Sequence, residues 1–245
     1  MENLSSLDCI LDQTKDLRCS TKLLHEKFEN MSEVKKAIVE KLGFEGLMPT
    51  PPMNVPYKIL KDTRHGALRI KTKRLGVVFG LNTSEDLFSE KISLKGVFEE
   101  NKEIYKRFQE KILKNLIDEM VNIGVDNDQD RLMFKRIFIL YIQMTFLLPT
   151  TINKVSPIHM APIFRMDNIT DHVLDFIIKG TSNYHLKKKK SIDGCLYALM
   201  VVYFHETKHK NKKAYAIPGP PCVMLWDREA LVQRIRAEIE GHMMM

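Results

Sequence analysis

From Phe134 to Leu148 the chain puts apolar side chains on nearly every face of a helix. Phe134, Ile137, Phe138, Leu140, Tyr141 and Met144 are among them, and Pro149 ends the run. A helix that is apolar all round has no side to offer to water, so other elements must wrap around it. Asp126 or Asp128 supplies the capping residue that opens it. The longest apolar stretches, Ile137 to Leu148 and Cys195 to Phe204, stop short of the roughly 18 residues that a membrane span needs. Glu2, Asp8 and Asp12 leave no apolar signal core at the N-terminus. With 245 residues, 44% of them apolar and 28% charged, the chain can bury a sizeable core and is not a disordered polymer. The expected fold is mainly α: an irregular multi-helix domain with at most one small β element near 64–71, where Leu68 and Ile70 alternate with Arg69 and Lys71.

Residues 1–30 read as an N-terminal helical extension, with Leu4, Leu7, Ile10 or Leu11, and Leu17 at helical spacing. Residues 31–242 read as the main helical region. Its first helix starts at Ser32, places Val34, Ala37, Ile38 and Leu42 on one side, and stops at Gly43. Pro49, Pro51, Pro52 and Pro56 make 48–57 an internal linker, too rich in proline for helix or central strand. Ile104, Phe108, Ile112, Leu116 and Met120 form a core-facing stripe that runs to Gly124. Pro157 and Pro162 interrupt a connecting region, and Thr170 caps a helix carrying Val173, Leu174, Ile177 and Ile178. A helix from Ser191 to about His205 buries Leu196, Leu199, Met200 and Tyr203. Asp227 caps the last helix, with Trp226 placed to staple onto Leu231.

Net charge is +7, and most of it is local. Between His185 and Lys213 stand Lys187, Lys188, Lys189, Lys190, Lys208, Lys210, Lys212 and Lys213 against Asp193 and Glu206, so this window carries +6. Two lysine blocks therefore flank one apolar run. Such blocks serve as nuclear import signals, as phosphate-contacting patches, or as solvated loops. Few aromatics stand nearby (Tyr184, Tyr203, Tyr215), so a base-stacking platform has little support.

Catalytic constellations fare worse. His205-Glu206-Thr207-Lys208-His209 matches H-E-x-x-H, which on a helix puts two imidazoles on one face for zinc, with the Glu polarising a bound water. Lys208, Lys210, Lys212 and Lys213 crowd that pair, and their charge opposes a dication. The better reading is a helix C-terminus where Lys and His complement the dipole. Asp193-Gly194-Cys195 leads into an apolar helix, where an inert thiol is expected and not a nucleophile. The four cysteines (Cys9, Cys19, Cys195 and Cys222) form no C-x-x-C pair. No phosphate-cradling glycine loop is present, and Asp126-Asp128-Asp130 lacks the Gly and closing Glu of an EF-hand. The expectation is no enzyme, no cofactor, no resident metal, no membrane and no small-molecule substrate.

Several segments resemble a plant family. Gly43-Phe44-Glu45-Gly46-Leu47 is followed by Pro51-Pro52-Met53-Asn54-Val55-Pro56. Arg131-Leu132-Met133-Phe134-Lys135-Arg136 runs on to Leu148-Pro149-Thr150-Thr151. Ser191-Ile192-Asp193-Gly194-Cys195-Leu196-Tyr197 precedes the His205 to Lys213 run. Together, over most of 35–240, they are similar to the aminotransferase-like plant mobile domain and to helical regions ahead of ubiquitin-like (SUMO) protease domains in transposon-derived plant genes. The resemblance implies an interaction module of mobile-element origin, binding protein or nucleic acid, with the nucleus as its expected location and the cytoplasm as the alternative. No Schiff-base lysine with a phosphate cradle stands out, despite the family name. Asp171-His172-Val173 and Cys222 stand where relatives tend to carry an Asn-Trp and a Trp. The protease signatures are missing as well, so the alternative is a fragment of such a protease gene without its catalytic domain.

Overall fold

Eight α-helices and no strand are found among the described residues of the computed structural model, which are 21–53, 55, 101–147, 153–164, 195–208 and 222–243. They are α1 (Thr21–Glu29), α2 (Glu33–Lys41), α3 (Lys102–Phe108), α4 (Leu113–Asn122), α5 (Asp128–Ile142), α6 (Pro157–Phe164), α7 (Leu196–Lys208) and α8 (Arg228–Met243). The fold is mainly α, as the periodicity predicts. The β element near 64–71, the Thr170 helix and the pattern at Leu4 to Leu17 lie outside the described residues.

Helix α5 is the centre. Asn127 caps it, its side-chain oxygen accepting from Asp130 N at 2.9 Å, so the opening cap is neither of the expected aspartates. Every residue from Ile137 to Leu147 is buried. The Phe138 ring is surrounded by Phe28 of α1, Phe44 after α2, and Phe134 and Tyr141 of its own helix. Beyond Ile142 the helix widens into a π turn, Gln143–Leu147. There Gln143 Nε2 donates to Ile139 O at 3.1 Å and to His159 O at 3.3 Å, and Thr145 Oγ1 donates to Tyr141 O at 2.7 Å. The same turn that loosens the helical ladder therefore ties α5 to α6.

The expected stripe from Ile104 to Met120 is not one helix. The chain breaks between α3 and α4, with Glu110 at φ 61°. The break pairs with 153–155: Leu113 N donates to Asn153 O at 2.9 Å and Val155 N to Lys111 O at 2.8 Å. Phe108, Leu116 and Met120 are buried, whereas Ile112 is exposed. Arg107 and Lys111 both bind the Glu119 carboxylate across the break.

Two further expectations change. Val34 is exposed, and Lys35 lies inside in its place. The Lys35 ammonium donates to Met120 O at 3.0 Å and Val121 O at 2.8 Å, closing the C-terminus of α4. Pro157 and Pro162 do not interrupt structure, because both lie within α6. Pro157 stands at the first helical position, where its missing N–H has no partner to lose, whereas Pro162 lies inside the helix. His159 supplies one half of a capping box: its Nδ1 accepts from Ser156 N at 3.1 Å, while His159 N closes the first turn on the Ser156 backbone O at 3.0 Å.

The proline-rich stretch is packed where it is described. Thr50, Pro51, Met53 and Val55 are buried, and Met53 exchanges two hydrogen bonds with Thr21 of α1, at 2.5 and 2.8 Å. Leu24 and Phe28 place α1 in the same core, where Tyr141 OH also donates to Leu23 O at 3.2 Å.

Candidate functional site

Of the lysine-rich window, Cys195 and α7 are described. Its Cys195 to Phe204 stretch is buried throughout, with no residue more than 2% exposed. Tyr197 packs against Phe146 of the π turn at 5.9 Å between ring centroids, and Phe204 packs against Trp226 at 5.7 Å. Asp227 opens α8 as expected, its Oδ1 accepting from Ala230 N at 2.7 Å, and both Trp226 and Leu231 are buried. Helix α8 then supplies the polar partner of α7. Tyr203 OH donates to Glu238 Oε2 at 3.0 Å, and Arg234 binds Glu238 Oε1 at 2.7 Å while lying over the Phe204 ring. A buried carboxylate is tolerated here because both its oxygens have a partner.

Lys208 is the last residue of α7. Lys187, Lys188, Lys189, Lys190, Lys210, Lys212 and Lys213 lie outside the described residues. Of the H-E-x-x-H residues, His205 and Glu206 lie on the last turns of α7, and His209 is outside the described set. No group of three His, Cys, Asp or Glu positioned for a metal ion occurs among the described residues. Cys195 is buried and its Sγ accepts from Ala198 N at 3.4 Å, so the thiol serves the start of α7.

Three polar centres went unread in the sequence. Lys35 stands within the buried arc of α2 with Ile38 and Val39, and a lone charge in an apolar arc is its signal. Burial lowers its pKa from the ordinary lysine value. Glu119 has its pKa raised by burial and, more strongly, lowered by its hydrogen bonds and charge interactions with Lys111 and Arg107, so the net shift is downward. His159 and Gln143 meet at the π turn. The Gln143 side-chain oxygen is buried there and has no hydrogen-bond partner. The Ser-x-x-His spacing at 156–159 was the available signal.

These features define a helical domain in which Lys35, Glu119 and Glu238 serve helix ends and helix junctions. The chain belongs to the family described as Domain of unknown function (DUF8566), whose model matches residues 17–200. Searches of curated proteins and of solved structures gave no match. No helix among the described residues is long and apolar enough to cross a membrane.

Proposed function

We propose that this chain is a non-enzymatic helical interaction domain of plant mobile-element origin. It works in the nucleus and binds an acidic partner, protein or nucleic acid, through its lysine-rich 185–213 segment. The observation that carries the reading is the placement of charge: +6 of the net +7 falls in that one window. The burial of Cys195 to Phe204 supports it, because the apolar run between the two lysine blocks is accounted for as core and leaves the lysines as the part of the window unexplained by folding. The motif resemblance at 43–56, 131–151 and 191–213 supports the mobile-element origin.

Changing Lys187, Lys188, Lys189 and Lys190 together to Ala tests it. The substituted chain is expected to keep its helical circular dichroism and melting temperature. It should elute from immobilised heparin at clearly lower salt and lose nuclear accumulation as a large fluorescent fusion. Unchanged behaviour in both assays removes the proposal and leaves the block as a solvated loop.

A further inference from the structure

We infer that His159 makes the joint between α5, α6 and the 153–155 segment a pH-sensitive latch, closed while its ring is neutral and released when the ring takes a proton in mildly acidic solution. The geometry dictates which form the fold accepts. His159 Nδ1 lies 3.1 Å from Ser156 N, a backbone group that can only donate. Nδ1 must therefore be bare, and the imidazole proton sits on Nε2. An imidazolium carries a proton on both nitrogens, so two N–H groups would face each other across that 3.1 Å. Ser156 Oγ, 3.2 Å from the same nitrogen, can turn to accept from it. The backbone N–H cannot turn away without opening the start of α6. The ring is also fully buried, and burial penalises its charged form.

The charged groups of the neighbouring described elements are already matched or of the wrong sign. Helix α6 carries no other titratable residue. Lys154, just before the cap, is exposed and paired with Glu110. Beyond it, Lys111 and Arg107 share Glu119. On α5, Arg136 stands seven residues before Gln143, hence on the same side of the helix, and adds positive charge there. Gln143 and Thr145 of the π turn do not titrate, and Tyr197 beside that turn brings a phenol. Tyr141 turns elsewhere, toward Leu23 O.

The cap holds more than one helical turn. Gln143 Nε2 donates to His159 O at 3.3 Å, so the residue that caps α6 also ties it to the π turn. Immediately before Ser156, Val155 N donates to Lys111 O at 2.8 Å and Glu110 N to Val155 O at 3.3 Å, bonds that hold the break between α3 and α4. Loss of the cap thus loosens three elements at one point. An unfolded chain takes up the histidine proton near the ordinary value of about 6.5, whereas the closed latch excludes it. The latch's contribution to stability is therefore complete above that pH and is lost as pH falls below it.

Urea unfolding of the full chain at pH 7.5 and 5.5 tests this, with His159→Gln in parallel. Glutamine at the third helical position accepts from the N-cap N–H and does not titrate. Between those pH values the parent's unfolding constant should rise about tenfold more than the variant's, the limit for one histidine that binds no proton in the fold. The other histidines cancel in that comparison. A difference below about threefold, or one of opposite sign, overturns the latch. Amide exchange in the parent supplies a reading that does not require the variant to fold. On going from pH 7.5 to 5.5, the protection factors of Ser156 and Val155 should fall by about threefold or more against that of Val39, buried in α2. An unchanged ratio also overturns the latch and leaves His159 as an ordinary core residue.

Discussion

Replacing Phe138 by Ala removes the ring around which the core is arranged. Phe138 is fully buried, and four other rings lie within 6.4 Å of it between centroids: Phe28, Phe44, Phe134 and Tyr141. Those rings come from α1, from the turn after α2 and from α5 itself, and no single element can move to fill the space. Truncation of a buried Phe costs about 3–5 kcal/mol, from lost transfer energy plus the cavity left behind. Edge and tilted ring pairs add about 0.5–1.5 kcal/mol each beyond burial, without strict additivity. The upper part of the range, about 4–5 kcal/mol, is therefore expected. With a urea slope of about 2 kcal/mol per molar, the unfolding midpoint should fall by roughly 2 M. Phe138→Leu keeps most of the volume and should cost about half as much. Val34→Ala, on the exposed face of α2, is the control and should stay within about 0.5 kcal/mol. A loss below about 1 kcal/mol for Phe138→Ala would refute the placement of α5 at the centre.

Burial holds the Tyr141 phenol well above its ordinary pKa of 10, so its folded pKa exceeds the unfolded one. Its contribution is complete below pH 10 and is lost as pH rises beyond it; Tyr141→Phe should flatten that alkaline decline and cost about 0.5–1.5 kcal/mol at pH 7. Glu119 behaves in the opposite sense. Its folded pKa lies below the usual 4.5, so the stability it adds is present above that pH and lost on acidification; Glu119→Gln should lower stability by about 1–3 kcal/mol at pH 7 and remove part of the acid dependence below pH 4.5. For His205, elemental analysis of the purified chain should find less than one zinc per molecule, and His205→Ala should leave the melting temperature nearly unchanged. Stoichiometric zinc lost with that substitution would instead support the H-E-x-x-H reading.

Helices α5 and α7 were legible in the sequence because an apolar run bounded by caps needs nothing but burial to explain it. What the sequence concealed is whatever depends on a distant partner. Val34 and Lys35 are the plainest pair. Helical spacing alone sends Val34 inward and a lysine outward, but the bare carbonyls of Met120 and Val121 at the end of α4 are worth more to a lysine donor than water is. Proline at 51, 52 and 157 is similar. It excludes a central strand and disfavours a helix interior, but it does not forbid a packed extended segment or a short helix that starts on proline. The candidate site was legible only as charge. Lysine blocks announce a sign and a location, whereas the anchoring of α7 through Glu238 and Arg234 depends on a helix some 30 residues further along.

The stripe from Ile104 to Met120 carries the clearest lesson, because its own arithmetic argues against one helix. Its residues recur strictly every four positions, and at 3.6 residues per turn each step drifts by about 40°. Over the full stripe Met120 would face nearly away from Ile104. The break at Glu110 resets that phase, so Phe108 on α3 and Leu116 and Met120 on α4 reach the same core. Holding Glu110 at φ 61° costs a non-glycine residue about 1–2 kcal/mol. Glu110→Gly removes that strain but loses an exposed pairing with Lys154, worth about 0–1 kcal/mol, and adds about 0.5–1 kcal/mol of chain entropy. The net change should lie between about 1 kcal/mol of destabilisation and about 1.5 kcal/mol of stabilisation. Glu110→Val loses the same ion pair and forces a branched side chain into the left-handed region, so it should be less stable than the glycine variant by about 1–2 kcal/mol or more. Denaturant midpoints of the two variants, measured side by side, decide it. Equal stability would mean that α3 and α4 can join into one helix and that the pairing with 153–155 does not hold them apart.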